Sequence, residues 1–410
     1  MNSNEDSKTW RPVEASERYT SLDLLRGLAL FGVLLINLLY FFRVSLFDHI
    51  LHFHSHPGRV NHVVDLLVTL LVEFKAFNLF ALTFGIGVGI QSERAGLREV
   101  RVDAFLMRRF LVLFGFGVCH MLLVSNVDIL TLYALCGLLS ITLLRLPTAV
   151  LAMAGLAAIY LPSVFSGFLG LPPEVILRAH AANATRIYGQ GNFVAILEFR
   201  WRETQELIVP LLVGVAQKTF GTMLLGVAVW RAGVIREPQR YRPLLWATCL
   251  GAGIVGIINC TADVLWEAFR KAVHVMPAFA VLRSDVPLAF AYASGLLLWR
   301  RSACAAAFTA PIAAAGRMAL TNYLMQSLVF ALLFYGYGFG LFGRLDPSTA
   351  ALIGVAFYAG QLWFSKWWLN QYAFGPFEWL WRSLTYGRRQ PMRLLHCVPT
   401  LAMPSPRVKP

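Results

Sequence analysis

The sequence predicts an all-α protein: a polytopic transmembrane helix bundle of about ten spans, with both termini in the cytoplasm. Three observations carry this. Of 410 residues, 57% are hydrophobic and 14% charged, with a mean hydropathy of +0.60; a soluble domain runs near ~45–50% apolar and ~25% charged. Apolar runs of spanning length, about 20 residues each, recur along the chain between short polar turns. The formal charge is +14, from 36 Lys+Arg against 22 Asp+Glu, and the arginines sit at the ends of the apolar runs, where positive-inside topology puts them. That placement argues against nucleic-acid binding. The 6 cysteines lie mostly in or beside apolar segments with no C-x-x-C, so neither a disulfide framework nor a metal site follows.

Residues 1–20 read as a polar cytoplasmic lead and 21–370 as one transmembrane bundle. The first run, Ser21–Phe42, lacks a small-residue cleavage signal and reads as an uncleaved signal anchor. It also carries Asp23, Arg26 and Asn37. Asp23 and Arg26 are helix neighbours that can pair, and Asn37 lies about 16 Å further along nearly the same face. An arginine inside a span costs at least ~2.5–3.5 kcal/mol, so it usually faces protein or a water-filled cavity. The rival reading is an end-of-helix pair that snorkels to the interface and sets topology.

Residues 43–61 form a polar external loop holding His49, His52, His54 and His56. The second apolar block, His62–Gln91, is too long for one crossing and is interrupted by Glu73 and Lys75. A bent helix, or a helix followed by a half-helix, suits it. Its Gly85, Gly87 and Gly89 are spaced by two, which is neither a GxxxG face nor a dinucleotide loop. A basic cytoplasmic loop follows (Arg94, Arg98, Arg101, Arg108, Arg109), then span three from Phe110, a tight turn at Asn126–Asp128, and span four to Arg145. Span five runs from Pro147 to about Phe168, and 169–203 is a long external segment with two surface helices parted at Gly189–Gly191. Spans six to ten cover Leu207–Trp230, Leu244–Ala262, a segment reaching Trp299, Ile312–Tyr335 and Ser348–Leu369. Residues 371–410 are an amphipathic surface segment and a basic cytoplasmic tail.

Two groups can carry chemistry. One of the four loop histidines can act as a general base; the alternatives are a divalent-metal site or an exposed polar loop in which histidine is incidental. His120 and Asp128, near the outer end of span three, can meet that loop, or form an ordinary helix end. On the inner side Arg26, Gln217, Lys218, Arg317, Asn322 and Gln326 lie in apolar surroundings. Such groups are functional candidates, against the rival that they are inter-helix hydrogen bonds holding the bundle. In a continuous span nine, Arg317 with Thr321 and Asn322 with Gln326 occupy opposite faces. Two guanidiniums in the cytoplasmic half suit an entering phosphate or carboxylate.

The stretches SLDLLRGLALFGVLLIN, FNLFALTFGIGVGIQSER, DILTLYALCG, GRMALTNYLMQS and GPFEWLWRSLTYGRRQPMR together resemble the YeiB-like family of bacterial inner-membrane proteins (domain of unknown function 418). The first two also look like the wider transmembrane acyltransferases of the heparan-glucosaminide acetyltransferase type. That resemblance implies a multi-pass inner-membrane protein that passes an acyl group from cytoplasmic acyl-CoA, as co-substrate, to an envelope acceptor. It implies donor or cavity roles for Asp23 and Arg26, and a catalytic histidine within His49–His56. No bound cofactor is expected. The partners expected are the bilayer, an acyl donor and an acceptor. A transporter without covalent chemistry is the alternative.

Overall fold

The computed structural model describes residues 19–51, 58–97, 101–161, 173–273, 285–299 and 303–393. Among these the structure is helical throughout, with one isolated bridge between Tyr372 and Arg393. Helix α1 (Thr20–Asn37) runs on through a π-helical turn, Leu38–Phe42, and is followed by α2 (Leu46–Leu51), α3 (Arg59–Leu71) and α4 (Lys75–Leu97). Next come α5 (Val102–Leu123), α6 (Ile129–Leu143), α7 (Thr148–Tyr160), α8 (Glu174–Gln190) and α9 (Phe193–Glu203). A second π-helical turn, Thr204–Ile208, joins α9 to α10 (Val209–Arg231). The chain ends in α11 (Arg242–Val273), α12 (Asp285–Trp299), α13 (Ala303–Arg317), α14 (Ala319–Phe334), α15 (Pro347–Leu369) and α16 (Pro376–Tyr386).

By length and composition, four helices among the described residues can cross a membrane: Thr20–Phe42, Val102–Leu123, Phe193–Arg231 and Arg242–Thr261. The bent pair of α13 and α14 makes a fifth if it is one span. Of the apolar window in Thr20–Phe42, 78% is buried against other helices, compared with 17% in Arg242–Thr261. The first helix is therefore the axis of the bundle, while α11 shows lipid its Ile254, Ile257 and Ile258. Helices α4, α13, α14 and α15 surround α1.

Small residues set the spacing, as is usual where lipid supplies no hydrophobic drive between helices. A Cβ on Gly316 would overlap the Asp23 carbonyl, and one on Gly27 would overlap that of Ile312, so α1 and α13 touch backbone to backbone. The glycines spaced by two serve different partners. Gly85 and Gly89 face Met223 and Trp230 of α10, while Gly87, on the other side of α4, faces the Arg26 guanidinium.

The apolar runs break at two places, one expected from the sequence and one not. The second block divides at Val72–Phe74 between α3 and α4, with Phe74 at φ +57, as the interruption by Glu73 and Lys75 suggests. Span nine corrects the sequence reading, because α13 and α14 meet at Met318 with an 81° bend. The opposed-face argument for Arg317 with Thr321 and Asn322 with Gln326 therefore does not apply. The bend frees N–H groups at the start of α14, which need acceptors. Glu378 of α16 supplies them: its Oε1 accepts from Leu320 N (2.6 Å) and Thr321 N (3.0 Å), and its Oε2 from Thr321 Oγ1 (2.5 Å). The two helices expected in 169–203 are present, but they are not a detached loop. They bury Leu177, Tyr188, Ile196, Arg200 and Glu203, and α8 packs on α2.

Candidate functional site

The N-terminal end of α1 gathers cations. Arg26 lies 3.7 Å from Asp23 and its Nη2 donates to Thr83 O at 3.4 Å. Although α1 is the most enclosed of the apolar helices, the Arg26 side chain keeps 28% of its surface exposed. Arg26 and Arg382 lie within electrostatic reach of Arg109. Arg109 rests on the Trp381 ring at 3.6 Å, and its carbonyl accepts from Trp381 Nε1 (3.1 Å). Arg317 closes α13 directly after Gly316, which is pressed against Asp23 and Gly27. The fold thus brings Asp23, Arg26 and Arg317 to one end and adds Arg109 and Arg382, which sequence reading assigned to a basic loop and a tail.

The other sequence candidates divide by role. Asn322 Nδ2 donates to Ala315 O (3.1 Å) and Ser365 Oγ (2.9 Å), Gln326 Nε2 to Gln361 Oε1 (2.8 Å), and Gln361 Nε2 to Asn322 O (3.0 Å). This network ties α14 to α15 and bridges the bend. Asn37 is buried, and its Oδ1 has no hydrogen-bond partner among the described residues. Lys218 lies on α10 beyond Met223, and its carbonyl accepts from Thr222 Oγ1 (2.9 Å); Gln217 Nε2 donates to Ala158 O (3.1 Å).

A second polar centre occupies the opposite end. His49 is buried and stacks on Tyr40 at the end of α1, with ring centroids 3.7 Å apart. His52, His54 and His56 lie outside the described residues. His120 Nδ1 is 2.8 Å from Asp128 Oδ1, while Asp128 Oδ2 caps α6 by accepting from Thr131 N (2.6 Å). Tyr323 Oη donates to Asp128 Oδ1 (3.3 Å) and packs on the imidazole. Both His120 and Asp128 are almost fully buried, and His120 Nε2 has no partner among the described residues. A carboxylate on one ring nitrogen fixes the tautomer and leaves the other available to take a proton.

Beside this pair, Glu203 Oε2 accepts from Asn126 Nδ2 (2.5 Å) and Tyr188 Oη (2.6 Å), and Oε1 lies 2.8 Å from His180 Nε2. The turn after α14 is tied in through Gly336 N to Tyr188 O (2.7 Å) and Gly343 N to Arg43 O (2.7 Å). The sequence placed His180, Tyr188, Arg200 and Glu203 in a polar segment, and nothing in their spacing signals burial. No group of three or more His, Cys, Asp or Glu suited to a metal occurs among the described residues.

These features define a helical membrane protein with a cluster of cations at one end of its central helix and a buried polar network at the other. The chain belongs to the DUF418 family, whose description is "Protein of unknown function" and whose model matches residues 229–388. It is 30% identical over 401 residues to the uncharacterised protein YxaH of Bacillus subtilis (strain 168), spanning 93% of this chain and 98% of that one. It is 29% identical over 394 residues to an uncharacterised 39.9 kDa protein in the amylase 3' region of Bacillus acidopullulyticus, spanning 93% and 98%. With the uncharacterised protein YeiB of Escherichia coli (strain K12) it shares 28% identity over 393 residues, 90% of this chain and 96% of that one. The YeiB-like resemblance read from the motifs is thus borne out. No solved structure matches the chain.

Proposed function

We propose that this protein is a multi-pass membrane acyltransferase, with about ten crossings and both termini in the cytoplasm of an inner membrane. The observation that carries the reading is Arg26: a guanidinium within the buried central helix, keeping 28% of its surface exposed and joined by Arg109 and Arg382. Intramembrane arginines are retained where they meet ligand or substrate, and coenzyme A presents the phosphates that guanidiniums grip. At the far end, the acceptor-side base is one of two buried histidines. His49 sits on the loop that leaves α1, and His120 is oriented by Asp128.

In the step proposed, an acceptor hydroxyl or amine attacks the thioester carbonyl and gives its proton to the histidine. A carbon–oxygen or carbon–nitrogen bond forms, the carbon–sulfur bond breaks, and the coenzyme A thiolate leaves and takes up a proton. Replacing Arg26 by leucine is expected to abolish binding of coenzyme A to the purified protein by calorimetry while the protein still inserts. Full binding in that variant removes the assignment.

The 81° bend between α13 and α14 and the break between α3 and α4 favour a second reading, a transporter built on broken helices. Mass spectrometry of envelope lipids and glycans from a deletion strain separates the two. Loss of one acyl decoration supports transfer, and an unchanged acyl profile with altered uptake or export supports transport.

A further inference from the structure

We propose that Arg200 anchors an oxyanion site at the α9 end of the bundle, holding a carboxylate or phosphate group in a two-point grip. Arg200 is 1% exposed. Its Nη1 donates to Leu122 O at 3.2 Å, while among the described residues Nε and Nη2 have no partner at full hydrogen-bond geometry, the phenols of Tyr188, Tyr335 and Tyr337 standing near the guanidinium. Those two nitrogens share one edge of the guanidinium, with parallel N–H vectors set at the spacing of two oxygens on one carboxylate or phosphate. No carboxylate among the described residues lies within ion-pair distance of Arg200. Glu203, one turn further along the helix, is turned toward Asn126, Tyr188 and His180. A buried cation with an open fork is a costly arrangement, and proteins keep one where a ligand completes it.

The surroundings suit an anion. Tyr335 presents its ring to the guanidinium at 5.3 Å, and Tyr188 and Tyr337 also lie within its electrostatic reach. Tyr335 and Tyr337 bring phenol groups that can donate to ligand oxygens beside the fork. Tyr337 is partly exposed and belongs to the turn that Gly336 N and Gly343 N tie to Tyr188 and Arg43, so entry runs along that turn. Besides these tyrosines, the titratable groups on the packed elements include Glu203 and His180, whose mutual contact turns the carboxylate away from the fork. The site lies at the end of the chain fold that holds His49 and His120, opposite Arg26. It rests on the acyl-transfer reading only for the further step of naming the oxyanion as part of the acceptor; binding is independent of transfer. The oxyanion can come from a small acidic molecule or from an anionic lipid headgroup.

The test is thermal unfolding of the full-length protein, first in neutral detergent at low ionic strength with inorganic phosphate or acetate titrated in. The second arm compares phosphatidylcholine nanodiscs with and without phosphatidylglycerol. A saturable rise in Tm with phosphate or acetate identifies a soluble source, and a rise only with phosphatidylglycerol identifies a lipid headgroup. In either case Arg200→Gln is expected to weaken the apparent affinity at least tenfold. Arg200→Lys, which keeps the charge without the fork, is expected to weaken it nearly as much. Tyr337→Phe, at a partly exposed position, is expected to lose affinity a few-fold with an unchanged Tm in the absence of ligand, and it decides the matter if the Arg200 variants do not fold.

Arg26→Leu is the control for the inner cations. A phosphate shift that survives Arg26→Leu and is lost in Arg200→Gln supports the site, whatever becomes of coenzyme A binding. A shift lost only in Arg26→Leu, an unchanged apparent affinity in Arg200→Gln and Tyr337→Phe, or no saturable shift with any of the three probes overturns it.

Discussion

Lys75 Nζ lies 3.0 Å from Asp285 Oδ1, with side chains only 4% and 3% exposed, and it also donates to Thr69 O at 2.8 Å. The pair joins the first residue of α4, at the break in the second block, to the first residue of α12. Removing one member of a buried ion pair leaves an uncompensated charge and costs roughly 3–5 kcal/mol, whereas replacing both by apolar groups is often neutral or better. Lys75→Met should therefore lower the unfolding temperature of the detergent-solubilised protein sharply, and Lys75→Met with Asp285→Leu should recover most of it. A double variant no better than the single one would mean that the pair is not a closed unit.

The bend at Met318 should depend on Glu378. Its carboxylate accepts three hydrogen bonds at the start of α14, and losing a cap of this kind costs about 0.5–2 kcal/mol. Glu378→Ala should lose at least that much stability and speed limited proteolysis of the tail after α16.

The same residue gives a pH signature. Burial pushes the Glu378 carboxyl above the usual carboxylate range, against the opposing hydrogen bonds from Thr321 and Leu320. A carboxyl whose folded pKa is raised adds stability that is complete below its unfolded value, about 4.3, and is lost as pH rises toward the folded one. The stability of wild type relative to Glu378→Gln should therefore fall with rising pH from about 4.3 upward. A difference that grows with pH instead would show that the hydrogen bonds outweigh burial.

Close approach of α1 and α13 should make Gly316 intolerant of a side chain. A Cβ there overlaps the Asp23 carbonyl, a backbone atom that cannot swing aside, and overpacking typically costs about 1–3 kcal/mol. Gly316→Ala should destabilise the protein and displace Arg317 from the Asp23–Arg26 turn, weakening coenzyme A binding as well. Gly360→Ala, with open space around its Cβ position, should be close to neutral in the same thermal assay.

The two outer histidines can be told apart by turnover. Loss of a general base slows transfer by roughly 10²–10⁴-fold, so either His49→Ala or His120→Ala should show a loss of that size once an acceptor is in hand. If both retain near-normal turnover, neither His49 nor His120 is the base.

What the sequence determined by itself is what local pattern encodes. Hydropathy and the arginines flanking it marked a helical membrane protein, because a bilayer admits backbone only with its hydrogen bonds satisfied within the segment. Glu73 and Lys75 betrayed the broken second block, Asn126–Asp128 the turn before α6, and Asp23 with Arg26 a charged turn inside a span. What only the tertiary structure decided depends on partners far apart along the chain. The bend at Met318 is held by Glu378, 57 residues from the Thr321 N–H it accepts from. Arg109 and Arg382 come near Arg26 only when α5 packs on α4 and α16 packs on α5 and α14. Arg200 is indistinguishable in sequence from a solvated arginine on a surface helix, since burial is a property of what packs over a residue and not of its immediate neighbours.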